Sequence, residues 1–192
     1  MIAAIIAALI GNYLTTCFAL GLVVALIRIG RHPGLRTSSA ASGVLLDAFI
    51  LYGIGCSQAV SFVMHSVFGN FAAATIGWAQ SPFQLELAFS SLGVAIIAFV
   101  ACRRSSQLRS KAAVVSAIAV FRLGAAGGHL YELVVHDNHA ANNSGLLLWM
   151  DVITSAFGLA IVVWHARARR STGQLSRKTA DARGAVSRAH RG

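Results

Sequence analysis

Charge is the first thing this 192-residue chain is short of. Asp, Glu, Lys and Arg together make up 11% of it, against 56% hydrophobic residues. A soluble domain carries about 25% charged residues, so that class is excluded, and the mean hydropathy of +0.68 agrees. Cysteine occurs three times, as Cys17, Cys56 and Cys102. The odd number and the lack of CxxC spacing exclude a disulfide framework or a thiolate metal site, and leave small packing residues. Acidic residues number only six, giving a formal charge of +10. A nucleic-acid partner would want aromatics interleaved with the basic residues as a stacking surface, and these are lacking.

What is present is a set of apolar blocks, near 2–28, 44–67, 83–102, 112–135 and 146–166. About twenty apolar residues suffice to cross roughly 30 Å of hydrocarbon. The expected fold class is therefore all-α: a polytopic bundle of five transmembrane helices. The first block is too long for a secretion signal, lacks a basic leader and has no small-residue cleavage site, so it is read as a retained helix. Fifteen of the sixteen lysines and arginines follow the first, third or fifth block, and the loops 68–82 and 136–145 contain none. The positive-inside rule then expects the N-terminus outside and the C-terminus in the cytoplasm. Residues 1–166 form the expected membrane domain. Residues 167–192, rich in Arg, Ser, Gly and Ala, read as a basic disordered tail able to rest on anionic lipid.

Ionisable residues inside the blocks cost about 2.5–3.5 kcal/mol each on insertion scales, so they face cavities or one another. Threading places His65, Glu86, His129, Glu132, His136 and Asp151 in the outer third of four helices, and Asp47 near the inner side, within reach of the arginines of the first loop. At 100° per residue, Arg122, His129, Glu132 and His136 share an arc of about 80°. Gly124, Gly127 and Gly128 fall on another, where GxxxG spacing suggests close helix packing. In SPFQLELAF, Ser81 and Gln84 fit a capping box around Pro82, with Glu86 one turn inside. Arg122 is expected to pair with an acid. Trp78, Trp149 and Trp164 suit interfacial anchors.

The segment GNFAAATIGWAQSPFQLELA, with Gly128-His129, Asn143-Ser144-Gly145 and Asp151, resembles a bacterial family of small polytopic membrane proteins of unknown function built around a GW..SPFQ.E segment. The resemblance spans about residues 68–155 and rests on Gly77, Trp78, Ser81, Pro82, Phe83, Gln84, Glu86, Gly128, His129, Asn143, Gly145 and Asp151. It implies a multi-pass protein of a bacterial plasma membrane and singles out the acid and histidine cluster, with no activity attached. This chain departs from the pattern at Asn142-Asn143, where a Pro-Gly pair is expected, and at Arg122.

Three functions compete for that cluster. Glu86, Asp151, His129 and Glu132 could serve as catalytic acids and bases on an isoprenoid-like substrate already in the bilayer. Trp78, Phe83, Tyr131 and Trp149 could stabilise a carbocation through their ring faces, and Gln84, Arg122, Asn143 and His65 complete the expected substrate-binding set. Membrane terpene cyclases and isomerases share this site logic, without a sequence match. No cofactor is called for. A zinc or iron site drawn from His65, Glu86, His129, Glu132 and Asp151 is the second candidate, weakened by a single H-x-x-E where helical di-iron proteins pair their motifs. The third is a non-enzymatic transporter component or small-ligand binder. Its expected partners are membrane lipid and an apolar small molecule.

Overall fold

The structure, a computed structural model, describes residues 8–189, with side-chain surroundings through residue 174. The first residues of the first expected block, 2–7, and the last of the expected tail, 190–192, lie outside the described residues. All regular structure among the described residues is helical: α1 (Tyr13–Arg31), α2 (Ser38–Val67), a short α3 (Gly69–Ile76), α4 (Phe83–Ala101), α5 (Leu108–His136) and α6 (Leu146–Ala189). Five of these, all but α3, are long and apolar enough to cross a membrane. A 19-residue helix such as α1 or α4 rises about 28 Å, close to the hydrocarbon thickness.

The outward surface explains the composition. Leu20, Val23 and Leu26 on α1, Phe89 and Ile96 on α4, Val120 and Val134 on α5, and Ile153 and Val163 on α6 are all exposed. Such a girdle is unsustainable in water and ordinary against lipid. The chain is a multi-pass integral membrane protein. Its helix ends alternate, so one end of the bundle collects Arg28, Arg31, Arg103, Arg104 and Arg167 while the loops at the other, 68–82 and 136–145, carry no Lys or Arg; these are the arginine-rich and arginine-poor ends below.

Local chemistry sets most boundaries. Thr37 accepts from the Ala40 N–H at the start of α2, an N-cap. Gly77 closes α3 in the left-handed region (φ +79°), where a Cβ would also stand 2.7 Å from Asn138 Oδ1, so glycine is required twice over. The capping box expected at Ser81–Gln84 does not form, because the Gln84 side chain is taken by His65. α6 runs on past residue 166 to Ala189. No proline interrupts that stretch, and Ala, Arg, Lys and Gln all favour helix.

Within α2, residues Phe49–Cys56 form a π-helix, a wide-turn geometry that is rare and concentrates at functional sites. It lies beside an apolar core of Leu46, Phe49, Ile50, Ile54, Ala98, Val114, Val115, Ile118 and Ile161. Phe18, Phe49 and Phe157 join three helices there, with ring centroids 5.1–6.1 Å apart. Phe49 lies so close over Gly158 that a Cβ would meet its ring at 2.6 Å. This plug fills the middle of the bundle and separates the polar groups of the two ends.

Candidate functional site

On the arginine-poor side of the plug, α1, α2, α4, α5 and α6 surround a cavity of about 310 Å³. Its walls are apolar at Leu14, Ile76, Leu87, Phe121 and Leu147, and polar at Tyr13, Ser57, Gln58, Ser61, His65, Arg122, His129 and Asp151. Trp78 stands over it from the α3–α4 loop. The size is at the lower end for small-molecule pockets, which run about 300–1,000 Å³.

Arg122 is 2% exposed and its partners are neutral, not acidic as expected. It donates to Gly53 O (2.7 Å), Ser57 Oγ (3.1 Å) and Thr154 Oγ1 (3.0 Å). Among the described residues no carboxylate lies within 4 Å of it. The π-helix makes this possible. The Ser57 N–H reaches back to Tyr52 and Ile54 rather than to Gly53, so the Gly53 carbonyl accepts from the Ser57 hydroxyl (2.8 Å) and from the guanidinium instead. A carbonyl freed in the membrane interior must find a donor, and Arg122 has five.

Asp151 lies one turn from Thr154 and is 6% exposed. Its backbone oxygen accepts from Ser155 Oγ, but among the described residues nothing hydrogen-bonds its carboxylate, which lines the cavity. Gln58, also 6% exposed, lines the cavity too, and no described residue bonds its amide. The polar ends of both are reached from the cavity rather than sealed within the protein. An acid and an amide facing one chamber together are what a ligand-binding cavity needs.

His129 is positioned from behind. Asn143, fully buried, donates its amide to His129 O (3.2 Å) and Asn138 O (2.8 Å). That fixes its Oδ1 toward His129 Nδ1, at 2.9 Å. The imidazole therefore carries its proton on Nδ1 and, in the neutral ring, presents a lone pair at Nε2. Its other face meets Trp78, with centroids 5.7 Å apart and planes 32° from parallel. The loop holding Asn143 is tied down through Asn138 Nδ2 to Ile76 O and Asn142 N to Thr75 O, each 3.0 Å. The two residues that depart from the expected Pro-Gly pair thus hold the cavity's rim.

The remaining expected residues are divided. His65 lines the cavity and bonds Gln84, which faces an adjoining surface cleft. Glu86 is exposed on α4. The buried positions of that helix are Ala88, Ser91, Ala95 and Ala98, and Glu86 stands about 200° from Ala88 around the helix. Glu132 is half-buried on α5 with His136 3.9 Å away, and neither lines the cavity. Phe83, Tyr131 and Trp149 are 71%, 57% and 61% exposed and point off the bundle. The chamber expected to gather a histidine or an acid from each of four helices gathers Asp151, His65 and His129 from three, with an arginine. Among the described residues no three of His, Cys, Asp and Glu come together as a metal site requires.

The glycines of α5 also differ from expectation. A Cβ at Gly124, Gly127 or Gly128 would meet nothing within 4 Å, so no other helix of the described chain packs on them. Gly124 and Gly128 line the cavity instead. Sequence reasoning missed Tyr13, Gln58, Ser61 and Thr154. Gln58 could have been found, being an uncharged amide in the middle of an apolar block. Nothing marked Tyr13.

At the arginine-rich end, Asp47 is bonded not by the first-loop arginines but by Lys111, which is 6% exposed. A separate cavity of about 160 Å³ adjoins Asp47, Arg28, Cys102 and Arg104.

No curated protein and no solved structure is detectably similar to the chain. One family pattern, however, matches residues 11–171, a stretch that takes in all five membrane helices and every residue of the cavity. The chain belongs to that family, the family of unknown function DUF6790.

Proposed function

We propose that the protein is a membrane receptor or carrier component that binds a small amphipathic molecule in the α1–α2–α4–α5–α6 cavity. The observation that carries this reading is the pair Asp151 and Gln58, both deeply buried and left by the protein for something else to bond. A head group offering a donor to Asp151 and an acceptor to Gln58 and the remaining Arg122 N–H groups would satisfy both. The apolar walls would take its hydrocarbon part. By the positive-inside rule this cavity faces the extracytoplasmic side of a bacterial plasma membrane.

A through-path for transport is disfavoured by the apolar plug around Ile50, Ile54, Val115 and Ile118. A second reading, an acid–base enzyme acting on an isoprenoid-like lipid in the manner of a terpene cyclase or isomerase, draws on the Asp151 carboxyl, the His129 lone pair and the Trp78 and Phe121 rings around one chamber. Glu86 and Glu132 fall out of that scheme, and the Arg122 cation works against a carbocation nearby.

The test is to purify the full chain in mild detergent and identify co-purifying small molecules by native mass spectrometry. An adduct present on the wild type and absent from Asp151→Asn and Gln58→Leu is the expected result. Adducts identical on all three proteins would sink the binding reading. Incubation with prenyl pyrophosphates, followed by product analysis, decides the enzymatic one: a new isomer made by wild type and not by Asp151→Asn would establish it.

A further inference from the structure

The cavity is not closed on all sides. Leu87 of α4 and Phe121, Gly124 and Gly128 of α5 line it, and Phe121 and Gly124 are also exposed. The chamber therefore reaches the flank of the bundle between α4 and α5, within the apolar girdle rather than at a helix end. Gly124 and Gly128, one turn apart, form the α5 side of that opening. Glycine is disfavoured inside a helix and usually marks a close approach by another backbone. Here nothing approaches, so the space has another use.

We infer that the ligand is a single-chain amphiphile loaded sideways from the bilayer between α4 and α5, its tail lying along the glycine face while its head reaches Asp151 and Gln58. This rests on the cavity being a binding site, as proposed above. Two independent features meet here. The glycine groove alone would suit any apolar rod, including a second copy of α5. Asp151 and Gln58, buried residues whose polar ends open onto its inner end, favour a polar terminus there. A molecule with one polar end and one slender apolar chain meets both demands.

The probe is hexadecanol carrying a diazirine at its terminal carbon, photolysed with the full chain in liposomes and mapped by peptide mass spectrometry. Labelling is expected on the segments around Leu87 and Phe121–Gly128. The double variant Gly124→Leu/Gly128→Leu fills the groove where added side chains meet open space, so its melting temperature should match wild type while labelling falls about tenfold. Asp151→Asn should lose labelling as well. If the glycine variant labels like wild type while Asp151→Asn does not, sideways loading is overturned and the binding reading stands. If Asp151→Asn labels like wild type, the binding reading itself fails. Cross-linked dimers through α5 in place of lipid adducts would also overturn the inference. Should the glycine variant unfold, Leu87→Trp narrows the same mouth from α4, with the same two outcomes.

Discussion

The two ends of the bundle handle buried charge in opposite ways. At the arginine-rich end, Lys111 and Asp47 bond each other across α5 and α2, and each cancels the cost of burying the other. At the arginine-poor end, Arg122 is satisfied by a carbonyl and two hydroxyls, while Asp151 has no bonding partner among the described residues. The first arrangement is complete without any other molecule. The second holds an arginine and a carboxyl group in one chamber without joining them, and burying such groups unpaired costs stability. Charges that cancel stabilise a fold; charges kept apart are available to a ligand.

Lys111→Met should break this contrast most severely. It strands the Asp47 carboxylate beside the core, and thermal unfolding in detergent should register a loss of about 3–5 kcal/mol. Asp47→Asn with Lys111→Met should cost less than the sum of the two single changes. Arg122→Met comes next, at roughly 3 kcal/mol by the same measurement, because the Gly53 carbonyl and two hydroxyls lose their shared donor. Asn143→Ala should cost about 1–3 kcal/mol and free the His129 ring, with a change in Trp78 fluorescence as the readout. Asp151→Asn sharpens the comparison: its stability should equal or exceed that of wild type by up to about 1 kcal/mol, whereas Asp47→Asn loses stability. Smallest of all is Glu86→Gln, which should leave both melting temperature and ligand adducts unchanged. A large effect there would return Glu86 to the site.

The five spans were legible because hydrophobic length is a one-dimensional property, and blocks such as 83–102 match α4 nearly residue for residue. The cavity was legible in part. His65, His129 and Asp151 converge as their depths implied, since depth follows from counting residues along a threaded helix. Direction around the axis is harder. Glu86 shares that depth yet faces outward, and the signal was present in the small residues Ala88, Ser91, Ala95 and Ala98, which mark the inward face at helical spacing. The Lys111–Asp47 bond joins positions 64 apart, and Lys111 was indistinguishable from the loop arginines beside it. The π segment left no trace, because FILYGIGC is as apolar as any core helix.

That segment has a consequence for how the cavity could be lost. Wider turns make the chain beyond Cys56 lag in rotation behind an ordinary helical count, and Ser57, Gln58, Ser61 and His65 inherit the offset. Rewinding 49–56 as regular helix without changing its residue count would swing all four polar groups off the chamber, with the span's hydropathy unchanged. The aim of the site is thus stored in a backbone irregularity that the composition of the span does not record.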